Sequence, residues 1–198
     1  MYASVIVHPK AKHDFRYEMF ILRFPGHPEG SPQQVGNIPL EPGSDKHPYG
    51  IYRYWSADGI RWNAAEGPIV VTASPGERMV IPYDRPDNAA DNALIHHMDD
   101  GTYVLYSKIG EPIQPGGFVP YDIFTQGRRV LARRTSPDGS VWSPIETIVQ
   151  PDWQDPQDLQ FMELGLGRVT EGFLGVLTCY HNLAQTTDLQ LAGSADGR

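Results

Sequence analysis

Apolar residues along this chain gather in short runs rather than at helical spacing. Eight runs are rich in β-branched and aromatic residues: Ala3 to His8, Arg16 to Phe24, Tyr49 to Ser56, Asn92 to His97, Thr102 to Lys108, Arg128 to Ser136, Phe173 to His181 and Asp188 to Ser194. Each is bounded by turn formers, as strands are. Turn signals fall between them at Asp58-Gly59, Asp100-Gly101, Asp138-Gly139, Glu171-Gly172 and Asp196-Gly197. No stretch of a dozen residues keeps an i, i+3, i+4, i+7 apolar pattern free of Gly and Pro, which removes the usual helix signal. The pattern predicts an all-β fold. Two polar, Pro/Gly-rich stretches, Pro25 to Pro48 and the shorter Glu111 to Gln126, read as long loops of a functional or lid-like kind, or as poorly ordered chain.

Composition narrows the class. Twenty glycines and 18 prolines, about a fifth of the chain, lie between apolar segments rather than in blocks. That is punctuation for many short strands joined by tight turns. With 198 residues, 40% hydrophobic and 20% charged, the chain can bury a core and is not of disordered composition. The net charge of −8 and the lack of a Lys/Arg run argue against nucleic acid or an anionic membrane as partner. The longest apolar runs, such as Phe173 to Leu177, are too short to span a bilayer. Met1 to Pro9 shows no secretory signal pattern, which makes the cytoplasm the default expectation. A single cysteine, Cys179, excludes an intrachain disulfide and a multi-thiolate metal site, and its apolar neighbours mark it as a buried core thiol.

The most informative feature is a repeat. Ser56-Ala57-Asp58-Gly59-Ile60-Arg61-Trp62 recurs as Ser136-Pro137-Asp138-Gly139-Ser140-Val141-Trp142 and begins again at Ser194-Ala195-Asp196-Gly197-Arg198. Asp-Gly supplies a left-handed turn, Ser bonds nearby backbone, and Trp packs back over the base of the hairpin. The repeats start 80 and 58 residues apart. One hairpin unit recurring at long intervals suggests a β-propeller of four-stranded antiparallel blades. On that reading residues 1–198 form a single partial propeller domain of about three blades, approximately 1–75, 90–150 and an incomplete 158–198.

These residues carry a family resemblance. Arg16-Tyr17-Glu18-Met19-Phe20, Tyr54 to Trp62, Asp91-Asn92, Gly127-Arg128-Arg129-Val130, Asp158-Leu159-Gln160-Phe161 and Thr187 to Leu191, taken in order, resemble the five-bladed β-propeller glycoside hydrolases. The nearest members are those similar to families 32 and 43. The resemblance implies a central channel lined by the first strand of each blade, a carbohydrate substrate, and cleavage of glycosidic bonds by carboxylates from several blades. Such cleavage needs one carboxyl protonated to assist the leaving oxygen and another ionised to activate water or attack carbon. It calls for no cofactor.

The candidate channel strands are Ala3 to His8, Asp91 to His97 and Leu159 to Gly165. Asp91, Glu163 and Asp158 are the candidate catalytic carboxylates. Glu163 stands out because it interrupts the apolar run Phe161-Met162-Glu163-Leu164, where a buried carboxylate is costly unless paired or protonated. His8, Asn92, Gln160 and His181 are the candidate sugar-binding residues. No metal ligand set is proposed, because His96 and His97 point to opposite faces of a strand. One departure bears on mechanism. Relatives carry Asp-Pro where this chain has His8-Pro9, and an imidazole cannot stabilise an oxocarbenium-like charge as a carboxylate does. Two functions therefore stand at this point: a glycoside hydrolase, and a propeller that binds a saccharide without cleaving it. The sequence also suggests an internal portion of a longer protein, because three blades do not close a five-bladed ring. It selects no particular sugar, stereochemical outcome or oligomeric state.

Overall fold

The Ser-x-Asp-Gly repeats fold as three copies of one turn in the computed structural model of the chain, which describes residues 3–9, 15–23, 34–35, 38–39, 49–65, 67–73, 93–112 and 127–198. In each copy the Ser Oγ accepts the amide of the glycine, 2.9 Å at Ser56, Ser136 and Ser194 alike. In the first two copies Asp58 and Asp138 each accept two further amides beyond the glycine. The glycines sit at φ +75°, +73° and +78°, a left-handed conformation that Gly adopts without the steric cost of a Cβ. Backbone donors lower the pKa of Asp58, Asp138 and Asp196 below the usual carboxylate value.

Among the described residues the strands, in chain order, are β1 (Ala3–Val7), β2 (Tyr17–Arg23), β3 (Gln34–Val35), β4 (Ile38–Pro39), β5 (Tyr49–Ser56), β6 (Asn63–Ala64), β7 (Val70–Ala73), β8 (Leu94–His97), β9 (Tyr103–Pro112), β10 (Gly127–Ser136), β11 (Glu146–Val149), β12 (Leu159–Val169), β13 (Gly172–His181) and β14 (Thr186–Ser194). No helix occurs among the described residues. The first sheet has the order β1-β2-β5-β6, with β7 also on β5; the second is β8-β9-β10-β11, and the third is β12-β13-β14. All pairings are antiparallel. Strands β6, β7 and β11 are short and fall outside the apolar runs. The stretch expected as one long loop, Pro25 to Pro48, contains the small β3-β4 ladder; its other residues, and 113–126, lie outside the described residues.

The sheets stack through apolar faces. Phe20, Leu22 and Ile51 of the first sheet pack on Ile95, Tyr103 and Leu105 of the second, with Trp142 against them. Leu131 of the second sheet packs with Leu159, Phe161, Leu177 and Cys179 of the third. Cys179 is fully buried, and burial first, then the nearby acidic charges, raise its thiol pKa. It is a core thiol, as its neighbours implied.

The two seams share a polar rule. The cross-strand pairs Phe20–Arg53 and Tyr106–Arg133 occupy the same place in their sheets, three residues before Ser56 and Ser136. From the first pair, Arg53 Nη1 donates to the Asp138 carbonyl at 2.9 Å. From the second, the Tyr106 hydroxyl donates to the Gly197 carbonyl at 3.0 Å. The first and second sheets therefore each grip the Ser-x-Asp-Gly turn of the next one. Further links are Ile95 N to Ser4 Oγ at 2.9 Å and Arg129 Nη1 to Gln160 Oε1 at 2.8 Å.

The hairpin between β12 and β13 sets one sharp requirement. Gly172 has φ +144°, and a Cβ there would lie 2.3 Å from the Ser194 carbonyl oxygen. Backbone cannot swing aside as a side chain can. Gly172→Ala is expected to destabilise the chain by at least about 1–3 kcal/mol, read as a lower urea midpoint at unchanged m-value.

Candidate functional site

The first strands of the three sheets, β1, β8 and β12, approach one another and border a cavity of about 350 Å³. Ala3, Ser4, Ala93, Leu94, Glu163, Leu164, Gly165 and Leu166 line it. Glu163 reaches it because β12 carries a bulge. Phe161 is opposite Cys179 and Glu163 is opposite Thr178, so Met162 is an extra residue in the ladder. Without the bulge Glu163 would share the face of Phe161 and enter the apolar cluster with Leu159 and Leu177. The bulge turns it to the other face, while Leu164 packs on the cluster. Re-aiming one side chain is a recurrent use of a bulge beside an active site.

The other sequence candidates fall into three groups. Asp91 and Asn92 lie outside the described residues, which resume at Ala93 in the wall of this cavity. Asp158 and Gln160 have structural partners. The Asp158 carboxylate accepts the Leu183 amide at 2.9 Å, and its carbonyl accepts the Asn182 amide at 3.1 Å, so it ties the start of β12 to the β13–β14 turn. Gln160 is 1% exposed, and its Oε1 accepts from both the amide and the guanidinium of Arg129. His181 pairs with Asp188 at 2.6 Å across β13 and β14.

His8 belongs to a different cavity. Ser4 lies toward the start of β1 and His8 just past its end; four residues of strand separate them by about 13 Å. His8 therefore stands away from Glu163, in a cavity of about 400 Å³ lined by His8, Phe15, Glu18, Arg53, Trp55 and Tyr103. Glu18 anchors it. Its side chain is 6% exposed and accepts from His8 Nε2 at 2.8 Å, from the Tyr103 hydroxyl at 2.9 Å and from Arg53 Nε. Arg53 also donates to Ser140 Oγ at 3.1 Å, and its guanidinium lies 5.6–6.0 Å from the ring centres of Phe20, Trp55 and Tyr103. Burial, then the Glu18 charge, push the Tyr103 hydroxyl up to about 12. It stays a neutral donor at every physiological pH.

Sequence reasoning named His8 of this group but not Glu18, Arg53 or Tyr103. Glu18 alternates with Phe20 and Leu22 on β2, all facing the second sheet, and a carboxylate at an inward position was the available signal. Arg53 and Tyr103, 35 and 85 positions away, become its partners only through the register of the sheets.

His96 and His97 do face opposite sides of β8. His97 lies tilted against Tyr103 with ring centres 4.5 Å apart, whereas His96 meets Tyr106 edge-on at 6.0 Å. His96 Nε2 is buried without a hydrogen-bond partner among the described residues. Burial and then the Arg168 charge lower its pKa below the ordinary 6.5. The unfolded chain therefore takes up a proton near pH 6.5 that the folded chain resists. Stability is expected to be complete above that pH and to fall as the pH drops below it. Urea midpoints from pH 8 to 5 test this, and His96→Leu should remove that part of the slope.

No family model matches the sequence, and no curated protein matches it. Solved structures do share its all-β fold. A glycoside hydrolase matches 91% of this chain at a TM-score of 0.54 and 9% identity, over 46% of its own length. A sucrose-6-phosphate hydrolase from Lactobacillus gasseri matches 91% at 0.53 and 11% identity, over 29% of its length. A BT0996 RGII complex matches 96% at 0.51 and 10% identity, over 56% of its length. The protein thus spans about half or less of the first two structures and somewhat more than half of the third.

Proposed function

We propose that this chain is part of a five-bladed β-propeller glycoside hydrolase whose channel carboxylates cleave glycosidic bonds, with Glu163 as general acid and Asp91 as its partner. The observation that supports the reading is the bulge at Met162, beside which Glu163 joins the wall of the cavity bordered by the first strands of the three sheets. The repeated grip of the first and second sheets on the next turn supports the blade assignment, because propellers are built by radial repetition. Fold likeness to glycoside hydrolases supports a carbohydrate substrate, although fold alone does not fix chemistry.

In this mechanism the Glu163 carboxyl protonates the leaving glycosidic oxygen while the Asp91 carboxylate attacks the anomeric carbon or activates water. A separation of about 5–5.5 Å between them gives retention, and about 6.5–9.5 Å gives inversion. Asp158 is left to its turn and Gln160 to its seam.

The test is release of p-nitrophenol from aryl arabinofuranosides and xylopyranosides, and of reducing sugar from sucrose, by the wild-type chain and by Glu163→Gln. Release by the wild type and its loss in the variant are expected. Release at an equal rate by both would remove Glu163 from the mechanism.

A further inference from the structure

The three sheets differ at their outer edges. In the first sheet the edge is formed by β6 and β7, two and four residues long, and in the second by β11, also four. In the third it is β14, nine residues from Thr186 to Ser194. Short edge strands, Pro, Lys and bulges are the devices that keep a sheet from pairing with another chain. β14 has none of them. It contains no Pro, Lys or Arg, and its register with β13 runs unbroken along its whole length. Among the described residues no strand pairs with its outer side. A long, regular edge of this kind is a template for a further strand.

The side chains add an apolar driving force. Leu189 and Leu191 are 69% and 78% exposed, and Leu191 lies opposite Val176 of β13, itself 41% exposed. Leu174, also exposed, continues the same face of the sheet. A contiguous apolar face left uncovered beside an open edge marks a site of association.

The strand that fits this edge is a second β14. When the strand is paired antiparallel with its own copy about Gln190, Leu189 falls opposite Leu191 of the second copy, and Leu191 opposite its Leu189. Opposed residues of an antiparallel pair share a face, so the leucines of both copies gather beside both copies of Val176. Asp188 is the one charged residue of β14, and it falls opposite Ala192. The two copies of Asp188 then stand about 13 Å apart along the strands. No like charges are opposed, and His181 already holds Asp188 at 2.6 Å.

We infer that two copies of this chain pair through β14, antiparallel about a twofold axis at Gln190, and so join their third sheets into one. The interface is isologous and closes at two copies. It draws on nothing in the hydrolase reading, since a cleaving and a non-cleaving chain would associate alike.

Sedimentation of the full chain over a range of concentrations tests it, and a monomer–dimer equilibrium is expected. Leu189→Lys/Leu191→Lys should weaken the dimer at least about tenfold, because each Lys then faces a Lys of the other copy. Both leucines are exposed, so the variant should keep the wild-type urea midpoint. Gln190→Cys locates the axis. Opposed Cα atoms in an antiparallel pair lie about 4.5–5.5 Å apart, within reach of a disulfide, so oxidation should cross-link two copies. Thr186→Cys is the control, since its two copies would lie about 26 Å apart. Cys179 is fully buried and takes no part. A chain that stays monomeric at every concentration would overturn the inference and leave this edge to a further strand of a longer protein. Equal cross-linking at positions 186 and 190, or association undiminished by the two lysines, would overturn it by placing the contact on another face.

Discussion

Arg53→Met is expected to destabilise the fold by about 3–5 kcal/mol, among the largest effects of any single side-chain change in the chain. The cause is what it leaves behind. Glu18 keeps 6% of its side-chain surface in contact with solvent, and its charge is balanced by Arg53, with His8 and the Tyr103 hydroxyl also bonded to it. Removing the guanidinium strands a buried carboxylate, and loss of one partner of such a pair costs about that much. The grip of the first sheet on Asp138 and Ser140 is lost in the same step. Urea denaturation measures the change. The double variant Glu18→Leu/Arg53→Met should recover much of the loss, because an apolar pair of similar volume avoids desolvating two charges. A single variant as stable as the wild type would show that the pair contributes nothing to the seam.

Glu163→Gln is expected to lower glycoside hydrolysis by about 10²–10⁴-fold, the usual contribution of a positioned general acid. The substitution keeps the size of the side chain and removes the proton it would donate. The urea midpoint is measured alongside, so that a loss of rate is separated from a loss of fold. Asp158→Asn is the matched control. Its amide oxygen can still accept the Leu183 amide that Asp158 accepts now, so both fold and rate should change little. Equal losses in the two variants would point to a general disturbance of β12 rather than to chemistry at position 163.

Local chemistry was legible in the sequence. Ser56, Asp58 and Gly59 specify their turn almost alone, and the two later copies repeat it bond for bond at the serine. The eight apolar runs all became strands, since β-branched and aromatic residues between turn formers leave the backbone few alternatives. Glu146–Val149 escaped because four residues behind Pro144 on a sheet edge carry too little pattern. The sites were less legible for the same physical reason. Glu163 was visible as a carboxylate in an apolar run, but the direction it faces depends on an extra residue at Met162, and a bulge leaves no mark in residue order. His8 reads from its strand as a candidate sugar contact, but its bond to Glu18 is set by the pairing of β1 with β2 and is not visible in residue order. Charge partners 35 and 85 positions apart are a property of the stacked sheets.

A crystal structure of Glu163→Gln soaked with an oligosaccharide tests most directly whether sugar is cleaved where β1, β8 and β12 meet. The prediction is a glycosidic oxygen within about 3 Å of the side chain at position 163, with the Asp91 carboxylate across the anomeric carbon. An oligosaccharide bound only among Phe15, Trp55 and Tyr103, with the channel cavity empty, would contradict it.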